Sequence, residues 1–259
     1  MALSSDTGYA SDLELAFELG RLASEVALPL FRRGVVAQQK PDGSVVTEGD
    51  VEVERRLLER LALERASDAV LSEESGARGA STRRWILDPI DGTSYFASGR
   101  ESWGTHVALE QDGELVLGLI TRPTAGQWYW ATRGGGAFRG ELGSSTPIER
   151  LRVSSTETAA HARVMSWSRK HTALNERLRE RGQWVAPALD GSLDLASGRI
   201  DALFDDTGYA WDLAPIVLLV EEAGGRFVDP FGGRRIDRFG GWFTNGRLDA
   251  AIVELGRSS

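Results

Sequence analysis

Two carboxylates stand close together in the segment W-I-L-D-P-I-D-G-T, which begins at Trp85. Asp88 follows an apolar run, and Pro89 disfavours helical backbone angles at Asp88, so we expect a strand to end there in a turn. Asp91 comes three residues later and is followed by a stretch, 93–97, that can start a helix. The spacing therefore predicts two carboxylates on one tight junction between a strand and a helix.

The same junction is suited to binding an anion. The backbone N–H groups of Gly92 and Thr93 would be free at the helix start, and helix N-termini bind phosphate through such groups. Two carboxylates beside a phosphate would repel it unless a divalent cation lay between them. Such a metal could bridge the carboxylates, bind a phosphate oxygen and lower the pKa of a water molecule.

Further acidic residues are needed, because one turn cannot supply the ligands of two metal ions. Glu73 and Glu74 follow the apolar stretch 69–71. Asp50 and Asp212 each stand at the start of a predicted helix. An acid at a helix N-terminus is also an ordinary cap, so each of these two residues has a structural alternative. Their combination with the turn favours a metal site.

The composition excludes several other kinds of site. No cysteine is present, which excludes thiolate nucleophiles, disulfides and iron–sulfur clusters, and the three histidines have no metal-binding spacing. A metal would therefore be held by oxygen, which favours Mg²⁺, Mn²⁺ or Ca²⁺. His106, on a predicted strand, is interpreted as a core histidine.

Charge and hydropathy restrict the partners. With 30 basic and 38 acidic residues, the 259-residue chain has a formal net charge of −8, which disfavours sequence-independent nucleic-acid binding. Neither a P-loop, nor a signal peptide, nor an apolar run of membrane-spanning length is visible. We expect a cytoplasmic protein with a small-molecule substrate and no nucleic-acid or membrane partner.

Helices and strands are predicted to alternate in a layered α/β or α+β architecture. Apolar spacing predicts helices over 11–32, 49–65 (capped by Thr47), 174–181, 211–223 and 247–255. Strands are predicted over 35–39, 69–71, 84–87, 105–110, 114–121, 127–132, 201–204, 226–228 and 242–244, with a hairpin turn at Asp112-Gly113. We predict a single domain, 1–259, in which a polar loop over 140–147 separates subregions of about 1–143 and 144–259.

Four segments resemble, in this order, the inositol monophosphatase superfamily. They are V-V-T-x-x-D ending at Asp50, S-E-E-S around Glu73, the W-I-L-D-P-I-D-G-T segment, and W-D-L-A-P…E-A-G-G from Trp211. The resemblance covers residues 10–255 and implies a layered α/β/α/β/α sandwich of the inositol monophosphatase and fructose-1,6-bisphosphatase type. It also implies a homodimeric, Mg²⁺-dependent phosphomonoesterase. Segments 131–138 and 243–246 are similar to the branch that contains the histidinol-phosphate phosphatases.

The resemblance implies a set of oxygen ligands for two or three Mg²⁺ ions, with Mn²⁺ as a substitute. The ligands of a first ion would be Glu73, Asp88 and the carbonyl of Ile90, those of a second Asp88, Asp91 and Asp212, and those of a weaker third Asp50 and Glu73.

The resemblance also implies a catalytic set. Thr93, assisted by Asp50, would orient or deprotonate the attacking water, and Glu73 completes the set through the metal. The amides of Gly92 and Thr93, with Ser94 beside them, would hold the phosphate. The reaction would be in-line attack of an activated water on a phosphomonoester.

The wall that would recognise the alcohol departs from the family pattern. The family's G-[ST]-A-A segment is replaced by A-P-A-L-D-G-S over 186–192, and the substrate-contacting Glu seven residues before Asp212 is Asp205. We expect Asp205, Asp190 and Lys40 to contact the substrate. L-histidinol phosphate is the first choice of substrate; inositol-1-phosphate or another sugar or cyclitol phosphate remains an alternative. A non-catalytic regulatory member of the fold is a further alternative.

Overall fold

The structure, a computed structural model, describes residues 8–41, 43–168, 172–180 and 183–248. The helices in these ranges are α1 (Ala10–Arg33), α2 (Glu48–Glu64), α3 (Thr93–Ala97), α4 (Thr172–Glu180), α5 (Gly191–Ala196) and α6 (Ala210–Glu222). The first ten strands are β1 (Gln38–Gln39), β2 (Val45–Val46), β3 (Ala69–Ser72), β4 (Gly76–Arg78), β5 (Arg83–Asp91), β6 (Gly104–Gln111), β7 (Glu114–Arg122), β8 (Gln127–Thr132), β9 (Gly136–Glu141) and β10 (Pro147–Arg150). The remaining strands are β11 (Val164–Trp167), β12 (Trp184–Val185), β13 (Ala202–Asp205), β14 (Arg226–Val228) and β15 (Gly241–Thr244).

The strands form two mixed sheets and a two-stranded ribbon of β1 and β2. The large sheet has eight strands in the order β10-β9-β8-β7-β6-β5-β3-β4, antiparallel except where β3 runs parallel to β5. The small sheet has five strands in the order β12-β11-β13-β15-β14, and β11 is parallel to both of its neighbours.

Three apolar clusters show how the layers stack. Helices α1 and α2 pack on one face of the large sheet, where Leu57 and Trp85 are fully buried. Helices α5 and α6 lie between the two sheets, with Val217 in the middle of this cluster. Helix α4 covers the outer face of the small sheet through Leu174 and Leu178. The order of layers is α/β/α/β/α, which confirms the predicted fold class.

The long helices and the hairpin occur where the sequence predicts them. Helices α1, α2 and α6 match their predicted ranges within two residues, and Thr47 caps α2. Asp112 and Gly113, with φ of 53° and 82°, form the turn between β6 and β7. The helix predicted over 247–255 lies almost wholly outside the described residues.

Several short elements differ from the predictions. Strand 35–39 is reduced to Gln38–Gln39. Strand 84–87 was predicted to end at Asp88, and this is wrong: β5 continues to Asp91, because β6 resumes pairing beyond a bulge between these two residues. Strands β2, β4, β9, β10, β11 and β12 and helix α5 were not predicted, since short segments carry little periodicity.

The polar loop over 140–147 is shorter than predicted. Strand β9 runs to Glu141 and β10 begins at Pro147, and β10 pairs with β9 in the large sheet. The chain then enters the small sheet at β11. The single domain with subregions 1–143 and 144–259 stays a prediction.

Close approach of α6 to the large sheet depends on Gly118 of β7. An added Cβ there would lie 2.9 Å from the Cα of Pro215 and 3.0 Å from its carbonyl oxygen, both backbone atoms of α6. Asp212 stands on the first turn of the same helix, so this contact helps to place a predicted metal ligand. We expect Gly118→Ala to lower the free energy of unfolding by about 1–3 kcal/mol, the usual cost of overpacking, in urea denaturation.

Gly8→Ala is the matched control, because an added Cβ at Gly8 has no atom within 4 Å. We expect it to change the free energy of unfolding by less than about 0.5 kcal/mol. Equal losses in the two variants would contradict the close approach at Gly118.

Candidate active site

Four acidic side chains from separate parts of the chain meet at the bulged end of β5. Because β3 runs parallel to β5, Ser72 pairs with Leu87 and the next residues, Glu73 and Asp88, lie side by side. Asp88 is 1% exposed, and its side chain interacts with the side chains of both Glu73 and Asp212. Asp91 ends the same strand and interacts electrostatically with Asp88 and Asp212.

The electrostatics of these acids suit a divalent cation. Burial and the neighbouring carboxylates raise the pKa of Glu73 and of Asp212 to about 7. The pKa of Asp88 is also well above its ordinary value, because burial and repulsion by Glu73, Asp212 and Asp91 disfavour its charged form. Asp88 Oδ1 is buried and has no hydrogen-bond partner. Buried and half-buried carboxylates that repel each other and leave an oxygen unpartnered are a fitting donor set for Mg²⁺.

Asp91 has a different environment from the other three acids. His106 Nε2 lies 3.2 Å and Arg122 Nη2 lies 3.3 Å from Asp91 Oδ2. Burial acts to raise the pKa of Asp91, but His106 and Arg122 outweigh it and lower that pKa to about 2. Asp91 therefore keeps its negative charge, whereas the three acids with raised pKa values take up protons more readily.

His106 touches two of the predicted ligands. It is 1% exposed, as expected of a core histidine, but its Nδ1 lies 3.2 Å from the backbone oxygen of Asp212. Ligand atoms of Asp88, Asp91 and His106 all lie within 4.8 Å of one another. Sequence reasoning did not connect His106 or Arg122 with the site.

Asp50 and Thr93 form a hydrogen-bonded pair beside the acids. Asp50 is the third residue of α2, and its Oδ2 accepts hydrogen bonds from Thr47 N at 2.8 Å and Thr47 Oγ1 at 2.6 Å. Thr93 Oγ1 lies 3.0 Å from Asp50 Oδ1 and 3.0 Å from the carbonyl oxygen of Ile90. Burial raises the pKa of Asp50, although its hydrogen bonds oppose this. Asp50 therefore caps α2 through Oδ2, while its Oδ1 is hydrogen-bonded to Thr93.

The site opens into a cleft of about 630 Å³. Glu73, Asp91, Thr93 and Asp212 line one part of it. Gly92 precedes α3 in a left-handed conformation with φ of 83°, which lets the chain turn from β5 into α3.

Some of the residues predicted to contact the substrate line the cleft, and others do not. Ser94 and Asp205 line the cleft; Asp205 ends β13, and its Oδ1 accepts two 2.7 Å hydrogen bonds from Thr207. Burial raises the pKa of Asp205. Among the described residues that line the cleft, neither Asp190 nor Lys40 occurs.

Asp190 and Lys40 make ion pairs close to the site. Asp190 Oδ1 accepts a 2.6 Å hydrogen bond from Arg122 Nε. Lys40 Nζ lies 3.3 Å from Glu73 Oε1 and 2.6 Å from Glu74 Oε1, so it neutralises part of the acidic charge at the end of β3.

The raised pKa values predict how stability depends on pH when EDTA removes bound metal. Between an ordinary carboxyl pKa of about 4 and a value of about 7, the folded chain holds protons that the unfolded chain has lost. The free energy of unfolding must then fall as the pH rises through this range. We expect the melting temperature in EDTA to decrease from about pH 5 to about pH 8, and Mg²⁺ to raise it most at the upper end. A melting temperature in EDTA that rises over this range would contradict the buried acid cluster.

Comparisons with known proteins agree with this geometry. A sequence model of the inositol monophosphatase family matches residues 9–255. A Streptomyces griseus protein that bears the name glucose-1-phosphate thymidylyltransferase is 45% identical over 226 residues, or 86% of this chain and 87% of that protein. A histidinol-phosphatase of Streptomyces coelicolor is 32% identical over 248 residues, or 85% of this chain and 86% of that protein.

A solved structure shares the fold. The IMPase of Thermotoga maritima superposes with a TM-score of 0.84 and 24% sequence identity, covering 96% of this chain and 97% of that one. Across the described residues, each helix is too short or too polar to cross a membrane. The chain is therefore a member of the inositol monophosphatase family, whose enzymes are Mg²⁺-dependent hydrolases of phosphate monoesters.

Proposed function

We propose that this chain releases inorganic phosphate from a small alcohol phosphate, with L-histidinol phosphate as the first candidate substrate. The observation that carries the proposal is the convergence of Glu73, Asp91 and Asp212, which line the cleft, on the buried Asp88, beside the hydrogen-bonded pair of Asp50 and Thr93. The similarity to a histidinol-phosphatase supports the choice of substrate.

The metal ligands would be divided as the family resemblance implies. The place of Asp88 between Glu73 and Asp212 would suit it to two Mg²⁺ ions, the first completed by Glu73 and the Ile90 carbonyl and the second by Asp91 and Asp212. A weaker third ion, or Mn²⁺ in place of Mg²⁺, remains part of the proposal. When bound, Mg²⁺ supplies Lewis-acid chemistry that acidifies water and neutralises the charge of a phosphate.

Thr93 and Asp50 would accept the proton of the attacking water. The Thr93 hydroxyl has one hydrogen and can donate it to Asp50 Oδ1 or to the Ile90 carbonyl. Its oxygen lone pairs then remain available to accept a hydrogen bond from a water in the cleft. Asp50 Oδ2 is fixed by Thr47, so Oδ1 is held in place to receive a proton through Thr93.

The phosphate would lie at the start of α3. The amides of Gly92 and Thr93 have no helical acceptor there, since the first N–H groups of a helix are free. Ser94 lines the cleft next to them. These groups would bind phosphate oxygens while the alcohol extends toward Asp205.

Asp205 would recognise the alcohol through its second carboxylate oxygen, because Thr207 occupies Oδ1. A protonated amine loses a charge-assisted hydrogen bond when this carboxylate is neutralised, whereas a sugar hydroxyl loses a weaker one. We therefore expect Asp205→Asn to raise KM about tenfold or more for L-histidinol phosphate and about fivefold or less for a cyclitol phosphate. Steady-state kinetics with both substrates measure the difference.

Asp206→Asn is the control for the Asp205 prediction. Asp206 is adjacent in sequence, its Oδ2 accepts a 2.8 Å hydrogen bond from Ser168, and it is not among the described residues that line the cleft. We expect its KM values to stay within about twofold of those of the unchanged protein. A larger effect on the cyclitol phosphate than on L-histidinol phosphate in Asp205→Asn would assign Asp205 to hydroxyl recognition.

A sugar or cyclitol phosphate is the second candidate substrate. It is favoured by the family description and by the 45% identical Streptomyces griseus protein, whose name includes a sugar 1-phosphate. Asp205 suits hydroxyl groups as well as an amine, and the KM values of Asp205→Asn distinguish the two candidates.

Phosphate release from a panel of substrates tests the proposal. The panel contains L-histidinol phosphate, inositol 1-phosphate and glucose 1-phosphate, each with Mg²⁺ and with EDTA, and glucose 1-phosphate with dTTP to detect pyrophosphate release. We expect Mg²⁺-dependent phosphate release, fastest from L-histidinol phosphate, and no pyrophosphate. A folded protein that hydrolyses none of them would contradict the proposal and favour a non-catalytic role.

The assembly and the location are also proposals. We infer a homodimer and a cytoplasmic protein from the family resemblance and the sequence. Light scattering after size-exclusion chromatography tests the dimer, and a monomer at all concentrations would contradict it.

A further inference from the structure

Arg122 ends β7 and is a buried cation, 4% exposed, that the sequence did not mark as functional. Its Nη2 lies 3.3 Å from Asp91 Oδ2, at the end of β5 where the proposed metal ligands Asp88 and Asp91 lie, here called the metal-ligand corner. Its Nε donates a 2.6 Å hydrogen bond to Asp190 Oδ1, and its Nη1 donates a 3.0 Å one to the backbone oxygen of Thr121. One guanidinium therefore joins residues that are far apart in the sequence.

Asp190 belongs to the part of the chain that forms the other side of the cleft. It directly precedes α5, which packs on α6 and the small sheet, while Arg122 is on the large sheet. Its neighbours Leu189 and Ser192 line the cleft. Leu189 also lies against the turn at Gly92, where an added Cβ would come within 2.8 Å of Leu189 Cδ2.

Arg122 lines the cleft, and on the side of Gly104 there is room for its guanidinium and little else. A Cβ on Gly104 would lie 1.8 Å from the Thr121 oxygen and 2.5 Å from Arg122 Nη1. Arginine is suited to this place because its planar fork carries several donors in fixed directions and does not lose its charge. A lysine would offer one ammonium group and could not reproduce the contacts to Asp91 and Asp190 together.

We propose that Arg122 is a positioning residue that fastens the cleft wall of residues 188–192 to the metal-ligand corner at Asp91. This inference rests on the proposed function, because it concerns how the same cleft holds its substrate. Asp190 then acts through Arg122 rather than by touching the substrate. Substrate binding costs less free energy when the cleft wall is already ordered. The contacts of Arg122 therefore lower KM and leave the chemical step unchanged.

Asp190→Asn is the main test, since the Asp190 side chain is 40% exposed and its loss leaves the contact between Arg122 and Asp91 in place. We expect KM to rise about tenfold, equivalent to about 1.4 kcal/mol, with kcat within about twofold. Arg122→Gln should raise KM at least as much, and Arg122→Lys should not restore it. The double variant should be no worse than Arg122→Gln, because both substitutions break the same pair.

Hydrogen exchange provides a readout that needs no substrate. We expect the amides of residues 186–196 to exchange faster in Asp190→Asn than in the unchanged protein, while the amides of β7 keep their rates. Because this result does not depend on turnover, it stays informative if no phosphate ester of the panel is hydrolysed.

Asp194→Asn is the matched control on the same helix. Asp194 Oδ1 accepts a 2.6 Å hydrogen bond from Arg199 Nε rather than from Arg122, so neither KM nor exchange should change. The proposal would be overturned if the amides of residues 186–196 exchanged hydrogen at the same rates in Asp190→Asn as in the unchanged protein. Additive effects of Asp190→Asn and Arg122→Gln on KM would overturn it as well.

Discussion

Replacing Asp88 by asparagine is expected to lower the rate of phosphate release by more than about a hundredfold. Asp88 is the acid that contacts both Glu73 and Asp212, and its Oδ1 is buried without a partner. An amide supplies one oxygen and no charge, so both proposed metal positions would be weakened together. The measurement is kcat at saturating substrate over a series of Mg²⁺ concentrations.

The stability of Asp88→Asn separates this loss from unfolding. An asparagine amide can still donate hydrogen bonds to Glu73 and Asp212, and it removes a carboxyl that its neighbours repel. We expect its melting temperature in EDTA to equal or exceed that of the unchanged protein, and its stabilisation by Mg²⁺ to be lost.

Asp68→Asn is the control for a buried acid outside the site. Asp68 Oδ2 accepts a 3.0 Å hydrogen bond from Trp85 Nε1, near the start of β3 and β5 and away from the strand ends that carry Glu73 and Asp91. This substitution should reduce stability without changing kcat. If Asp88→Asn kept more than about a tenth of the activity, this result would contradict the proposed role of Asp88 as a shared ligand.

Thr93→Val is expected to lower kcat by about 10²–10⁴-fold while the Mg²⁺ concentration for half-maximal stabilisation stays nearly unchanged. Valine keeps the shape of threonine but lacks the hydroxyl, which lies 3.0 Å from both Asp50 Oδ1 and the Ile90 carbonyl. Kinetics and Mg²⁺-dependent melting on the same samples separate proton transfer from metal binding.

Thr93→Ser is the matched control, because it keeps the hydroxyl and loses only a methyl group. We expect it to retain most of the activity. Asp50→Asn should lower kcat to a similar extent as Thr93→Val, with little further loss in the double variant, since the two residues act as one unit. Thr93→Val with half or more of the original kcat would exclude the hydroxyl from the chemical step.

The acid cluster was predictable because each of its members stands at the end of a predicted strand or the start of a predicted helix. Parallel pairing of β3 with β5 then brings Glu73 beside Asp88, and α6 delivers Asp212 from its first turn. These placements follow from short motifs and from the rule that side chains at neighbouring strand ends share one edge of a sheet.

His106 and Arg122 could not be found in this way. Their places depend on the register of β6 and β7, which sets His106 opposite Asp88 and Ile120. A single histidine or arginine on a strand gives no signal of that register. The bulge between Asp88 and Asp91 and the ion pair of Asp190 likewise depend on contacts between distant segments.

Crystals grown with Mn²⁺ and inorganic phosphate would locate the metal ions by anomalous diffraction. We expect at least two anomalous peaks, with Asp88 oxygens within about 2.0–2.3 Å of both and Glu73, Asp91 or Asp212 completing each set. We expect the phosphate to touch those ions and the amides of Gly92 and Thr93. Anomalous peaks that avoid Asp88, or none at saturating Mn²⁺, would contradict the metal-dependent phosphatase described above.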